Sequence, residues 1–355
     1  MDLNKKPRNK TIPLAIAFSV IYILFSFKPI GTELTLTPEW TENILNIHEA
    51  SEKDGELIPF RLGQNFGYFT DSGKISTCKS YPFKSTITST RYTSYGANTT
   101  EFDMYLPNGK KEGTIKEAGF PFFDEDRIYV FLPGGTSFSQ FNEKGKQLWR
   151  YESYLPVTAF ASNSSGCVAG FSDGRLISFN KNGKPDQNFI PGGSDINVIL
   201  GVNLSEDAKT IACVCGQNEQ RFIVASNKDG HSKIIFHKYL EKQLARQTLV
   251  KFSPDSKTVY YNYNGGLGIV NLETGRTSEI PIEGKISQIE FSSTSGMVFA
   301  LSKDKNTYLV SIIEPFDHTV ACFDFEGSNG FIMVRGDSLY VGRDTNISKL
   351  TVSRK

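Results

Sequence analysis

The 355-residue chain has no excess of either charge: 39 Lys and Arg stand against 38 Asp and Glu, a net of +1. That balance argues against a nucleic-acid footprint, because displacing counterions from phosphates takes clustered basic charge. Tryptophan is scarce, at Trp40 and Trp149, and so is histidine, at His48, His231, His237 and His318. Cysteine is odd in number and scattered, at Cys78, Cys167, Cys213, Cys215 and Cys322, which excludes a disulfide framework. Cys213 and Cys215 lie two apart in IACVCG and would share one face of a strand. With no Cys-x-x-Cys spacing and no second ligand pair, they read as small core residues rather than a metal or redox site.

Catalytic signatures are missing as well. No Gly-x-Ser-x-Gly elbow occurs, and the glycine-rich PGGTSF and GLGIVNLETG open no helix of the kind that cradles phosphate. His231 and His237 are six residues apart, about 20 Å along a strand, too far to share a metal. The sequence therefore assigns no catalytic, cofactor-binding or metal-binding residue, and no cofactor is expected.

Long apolar runs are absent, with one exception. Lys5, Lys6, Arg8 and Lys10 precede TIPLAIAFSVIYILFSF, residues 11–27, whose apolar side chains are Ile12, Leu14, Ile16, Phe18, Val20, Ile21, Ile23, Leu24, Phe25 and Phe27, with alanines between them. As a helix the run reaches about 25 Å, a little under the roughly 30 Å hydrocarbon layer, and Lys10 and Lys28 can snorkel outward. A cleaved signal peptide shares the basic start, but its apolar region is shorter and ends at a small-x-small site, which SFKPIGTE lacks. The reading is an uncleaved signal anchor, the basic residues setting the topology so that everything after Lys28 lies outside the inner membrane. Residues 1–10 are then a cytoplasmic start, 11–27 the transmembrane anchor and 28–57 a tether. Trp40, Ile44 and Ile47 fall at helical spacing and predict a short helix over 38–50.

What is abundant is turn and strand: 31 Gly, 27 Phe and 15 Tyr. In CVAGFSDGRLISFNKNGK, residues 167–184, two apolar runs flank Asp173-Gly174 and the stretch closes on Asn182-Gly183-Lys184. The closing phrase recurs in FDMYLPNGK, FSQFNEKGK, FIVASNKDG and LGIVNLETG, so that Gly109, Gly145, Gly183, Gly230 and Gly275 step along the chain by 36, 38, 47 and 45 residues. A second landmark, an apolar strand end before a polar turn, keeps pace in FFDEDRIYVF, FASNSSGCVAG, FSPDSKTVYY and FSSTSGMVFAL. Four antiparallel strands per unit of about 40 residues make the blade of a β-propeller. Units beginning near 58, 90, 119, 157, 197, 248, 285 and 328 give an all-β propeller domain over 58–355, with eight blades, or seven if the two short first units merge. Glu56–Arg61 is expected to close the ring against Ser348–Val352. The long fifth step is assigned to HKYLEKQLARQTLV, residues 237–250, where Lys238, Lys242 and Arg246 would line one helical face.

The phrases GCVAGFSDGRLISFNKNGK and RIYVFLPGGTSFSQFNEKGKQLW resemble the repeat of quinoprotein-like propellers, in which a Gly-x-x-Asp-Gly turn and a Gly-Lys turn lead to a Trp. Gly170, Asp173, Gly174, Gly183 and Lys184 match in one unit, and Gly145, Lys146 and Trp149 in the unit before it. FSPDSKTVYY is similar to the outer strand pair of WD-repeat propellers. Two tryptophans cannot supply the blade-locking ring of quinoprotein dehydrogenases. The resemblance implies a non-catalytic scaffold for a protein partner or ligand in the cell envelope, analogous to the propeller lipoprotein of outer-membrane barrel assembly with a helix in place of the lipid. The alternative it leaves is a propeller enzyme, a quinone-cofactor dehydrogenase or a hydrolase, with its site at the central channel.

Overall fold

Short apolar runs separated by Gly- and Asn-bearing turns can only fold back on themselves, and sheets of three or four strands are the result. The computed structural model describes residues 18–22, 33–48, 55–228, 231–316 and 318–354. Among these, thirty-one strands, numbered β1 to β31 in chain order, form eight antiparallel sheets arranged as an eight-bladed propeller. Blades 2 to 7 are four-strand meanders over residues 84–115, 120–151, 157–189, 196–239, 250–281 and 285–326. The two short first units do not merge. The innermost strands of blades 2 to 8 are β5 (Lys84–Ile87), β9 (Phe120–Asp124), β13 (Val157–Asn163), β17 (Ile196–Leu204), β21 (Val250–Phe252), β25 (Lys285–Phe291) and β29 (Gly330–Arg335).

Burial follows position within the blade. Middle strands are covered on both faces by neighbouring blades and read as unbroken apolar runs. Every residue of β14 (Gly166–Phe171) is buried, as are six consecutive residues of β18 (Thr210–Gln217). Outer strands meet water on one side and alternate, as in β28 (Thr319–Glu326). Blade junctions are cemented by aromatics: Phe138, Trp149, Tyr151, Phe160, Phe171 and Phe179 form one cluster between blades 3 and 4, Trp149 stacking on Phe179 with centroids 5.9 Å apart. Trp149 also lies over Gly183, whose φ of +75° and missing Cβ are both required by the turn.

Closure differs from the sequence expectation. Residues 38–50 do not form a helix. Leu34–Asn43 is strand β1, which pairs antiparallel along its length with β31 (Asn346–Arg354), from Leu34↔Arg354 to Asn43↔Asn346, with a bulge between Pro38 and Trp40. A proline is tolerated there because β1 is the outermost strand of blade 8. The ring is therefore sealed by residues 34–43, and Glu56–Arg61 has a different place, largely within β2. Of the supposed stripe, Trp40 and Ile44 pack into the junction of blades 8 and 1, while Ile47 is largely exposed and bridges to Ile75.

Blade 1 has three strands, β2 (Leu57–Leu62), β3 (Asn65–Thr70) and β4 (Ile75–Ser80). Its β3–β4 turn, Asp71-Ser72-Gly73-Lys74, is another Gly-Lys turn, 36 residues before Gly109, and Trp40 covers Gly73 as Trp149 covers Gly183. The strand missing from blade 1 is thus the first of the usual four. Its innermost strand consequently runs backwards. Glu56, before β2, pairs with Arg335 at the end of β29 at 3.0 Å, and Gly63, after β2, sits against Asn329 before β29 begins. Other neighbouring inner strands run in parallel: Thr90, past β5, meets Glu125, past β9, and Ser292, past β25, meets Gly336, past β29.

The junction is clasped by Asp71. It accepts hydrogen bonds from Tyr340 and from Lys349 at 3.0 Å, its backbone carbonyl accepts the Trp40 indole N–H at 3.0 Å, and Lys349 also pairs with Glu39 at 3.0 Å. The Tyr340 and Lys349 contacts hold the Asp71 carboxyl below the usual carboxylate range.

The 237–250 connector is not helical. Strand β20 (His231–Tyr239) continues through Lys238, which pairs with Glu279, and the chain then loops with Leu240 and Leu244 buried. Buried Gln220 clamps the loop, donating to the Leu244 carbonyl at 2.9 Å and accepting from its N–H at 3.0 Å. Of the anchor residues, Phe18, Val20 and Ile21 lie in the helical stretch 18–22. Ile12, Leu14, Ile16, Ile23, Leu24, Phe25, Phe27 and the topology-setting Lys5, Lys6, Arg8 and Lys10 lie outside the described residues, as does Gly230. No helix among the described residues is long and apolar enough to cross a membrane.

Truncating the half-buried Trp40 to Ala should cost about 2–3 kcal/mol of stability, measured by denaturant unfolding. Asp71, with its folded pKa depressed below the unfolded value near 4, stabilises the closure above that value and ceases to do so as pH falls through the folded pKa. Asp71→Asn should therefore lower the melting temperature at neutral pH and flatten its fall below about pH 4.

Candidate functional site

The inner strands surround a channel with two cavities that meet at Ser287, of about 710 Å³ and 430 Å³. The larger is lined by Arg61, Lys84, Tyr95, Phe122, Glu290 and Met333 among others, and the smaller includes Lys285. Burial pushes the Glu290 carboxyl above the usual range, and Lys251 at 3.7 Å offsets part of this. Among the described lining residues Glu290 is the sole carboxylate, histidine is missing, and the other titratable side chains are Arg61, Lys84, Tyr95 and Lys285. No group of three or more His, Cys, Asp or Glu among the described residues could hold a metal ion. A quinone cofactor held with a cation calls for several converging carboxylate or amide oxygens, and this donor set does not fit it. Over the smaller cavity leans the 240–249 loop: Gln247 donates to the Thr158 carbonyl of β13 at 2.9 Å, and Thr248 packs on Gly201 of β17, where a Cβ would collide with it.

The two faces of the ring differ in kind. On the lower face, where most inner strands end, lie the tight turns between third and fourth strands: Gly109, Gly145, Gly183 and Gly275 occupy them, each with positive φ. Asp173 and Gly174 belong to the other, upper face, in a second-to-third turn where Asp173 accepts the Arg175 N–H at 3.0 Å. The upper face also carries every link from blade 1 through blade 8, the step from β1 to β2 alone ending on the lower face. Its exposed apolar side chains are Leu45 just past β1, Phe83 and Phe120 at the starts of blades 2 and 3, Tyr154 before blade 4, Ile190 and Ile196 before and at the start of blade 5, and Tyr239 at its end. Tyr154 is fully exposed, and Ile190 and Ile196 are 53% and 49% exposed. Cations stitch this arc together. Lys84 lies 5.6 Å from the Phe83 ring and 6.0 Å from that of Phe120. Arg221 stacks 5.4 Å from Tyr239 and donates to the carbonyls of Pro191 and Gly192 at 3.0 and 2.7 Å. Exposed apolar side chains collected on one face and set among polar groups make this face the candidate interaction surface. Sequence analysis found no site in these segments and missed this arc; the one signal available was that the links between blades, unlike the lower turns, carry Phe, Tyr and Ile.

A family model described as beta-propeller protein matches residues 1–354. The chain belongs to that family. An uncharacterized protein of Treponema pallidum (strain Nichols) is 26% identical over 359 residues, covering 98% of this chain and 95% of its own. The crystal structure of BamB from Moraxella catarrhalis superposes with a TM-score of 0.62 at 12% identity, over 89% of this chain and all of that one, a likeness of fold. The all-β propeller of antiparallel four-strand blades expected from the Gly-Lys turns is what the structure shows, with eight blades.

Three of the five cysteines, Cys167, Cys213 and Cys215, are placed in the core. Cys213 and Cys215 are buried side by side on β18, Cys213 raised by its neighbour thiol and by burial, and burial pushes Cys167 up to about 12. His231 and His237 both lie exposed on β20. A thiol-reagent titration of the native protein should modify Cys322 quickly and half-buried Cys78 slowly, with Cys167, Cys213 and Cys215 silent until denaturant is added. Rapid native reaction of five thiols would contradict the placement.

Proposed function

We propose that this protein is a membrane-tethered, extracytoplasmic propeller that serves as a non-catalytic protein-interaction scaffold in the cell envelope, docking its partner on the upper face. The observation that carries the reading is the asymmetry of the ring: exposed Phe, Tyr and Ile gather along the links of blades 2 to 5, while the opposite face is built of polar Gly-Lys turns. Aromatic anchors in an exposed, rigid arc are what protein interfaces use as energetic centres. The basic start and the apolar run of residues 11–27 support the tether, which raises the effective concentration of the domain near other membrane proteins.

Photo-crosslinking in intact membranes tests this. A crosslinker at Tyr154 or Ile196 should yield a discrete protein adduct, while one at Asn182 on the lower face should not. The triple substitution Tyr154→Ala, Ile190→Ser and Ile196→Ser should reduce adduct formation from a crosslinker at Phe120 at least tenfold with the melting temperature unchanged. Equal adducts from both faces would overturn the docking assignment.

A further inference from the structure

Resting on the tether reading above, we propose that the lower face of the ring lies flat on its own bilayer, with a lysine sector of blades 2 to 4 seated on anionic phospholipid headgroups. The argument starts from where the chain enters the ring. Leu34 opens β1 opposite Arg354, the last described residue of β31, on the lower face, and β1 then climbs to Asn43, beside Thr345 on the upper face. Six residues separate Phe27, the end of the apolar run, from Leu34, so the lower rim of blade 8 stands at most about 25 Å from the membrane surface. Turning the upper face to the bilayer would spend that whole reach on climbing the side of the ring.

The lower rim is not uniform in charge. On the far side from blade 8, the third-to-fourth turns of blades 2, 3 and 4 present Lys110, Lys144, Lys146, Lys181 and Lys184, all exposed. None of them is in an ion pair among the described residues, and the acidic groups within that rim are Glu143 and Asp186, leaving the sector positive. Asp124, Glu125 and Asp126 lie further in on the same face against Arg127 alone, Asp126 bordering the same hollow as Lys181, so they reduce that positive excess without reversing it. Elsewhere the rim charges cancel: Lys257 pairs with Glu273 and Arg354 with Glu314, each at 2.9 Å. Leu148, two residues after Lys146 and 55% exposed, adds an apolar foot beside the lysines. A tether under one rim and unpaired lysines under the opposite rim hold a disk flat, because lysines near an anionic surface are attracted within a Debye length of it. The upper face then points away from the membrane, free for a partner.

The test uses the full chain, carrying Cys78→Ser and Cys322→Ser, reconstituted into vesicles of phosphatidylcholine with or without phosphatidylglycerol. A single donor fluorophore is attached from outside at Asn182→Cys or Tyr154→Cys, with an acceptor lipid in the bilayer. Energy transfer from position 182 should exceed that from 154 several-fold in phosphatidylglycerol vesicles. The charge reversal K144E/K146E/K181E/K184E should bring it down toward the level of 154, and should have little effect in phosphatidylcholine alone. Equal or greater transfer from 154, or indifference to both lipid charge and lysine reversal, overturns the inference. Carbonate extraction separates the two layers of the argument. A chain released by carbonate sinks the tether and this orientation together, whereas a retained chain with reversed label order sinks the orientation alone.

Discussion

A propeller holds together only if its last sheet finds a partner for its free edge, and here that partner comes from the opposite end of the chain. Strand β1 supplies it, pairing with β31 across some three hundred residues of sequence. Without β1, the backbone groups of β31 facing outward would lie open as an unpaired edge. The junction it creates is also the irregular one, since β2 runs against its neighbours there. The Asp71 clasp, with Tyr340, Lys349 and Trp40 converging on one turn, sits at this seam. Channel and faces both follow from the ring being closed in this way.

Parity explains the division of labour between the faces. A four-strand meander returns the chain to the face where it began, so every ordinary link between blades is forced to one side. Those links vary from three to ten residues, the longest between blades 4 and 5 and between blades 5 and 6, whereas the turns on the other side are held to a tight form by positive-φ glycines. Exposed aromatics can accumulate on one face without disturbing blade packing. Blade 1, with its odd number of strands, keeps this parity because residues 44–56 carry the chain from the upper face, where β1 ends, to the lower face, where β2 starts.

Much of this architecture was legible because glycine announces itself. The steps between Gly109, Gly145, Gly183 and Gly275 reported the blade repeat directly, and Gly73-Lys74 extends the same series one unit earlier. It escaped notice because Asp71-Ser72-Gly73 is flanked by a blade too short to show the full pattern. Trp40, Ile44 and Ile47 misled for a different reason: spacings of four and three suit a helix, yet a bulge at Pro38–Trp40 and a turn after Asn43 produce the same spacing in a strand and its exit. Charge spacing in 237–250 suggests a helix but ignores Leu240 and Leu244, whose burial, with Gln220 clamped to Leu244, folds the segment into a loop.

Local sequence alone determined the blade: alternation, β-branched and aromatic content and turn glycines each act over a few residues, and any segment bearing them forms the same hairpin. It likewise marked the basic start and the apolar run, since membrane preference is a property of a contiguous stretch. Tertiary structure decided what those blades add up to. Which strand seals the ring, which way β2 runs, and which side chains of Phe83, Phe120, Tyr154, Ile190, Ile196 and Tyr239 are left in solvent depend on contacts between residues dozens to hundreds apart. No local pattern encodes them, because exposure is settled only when every neighbouring blade has taken its place.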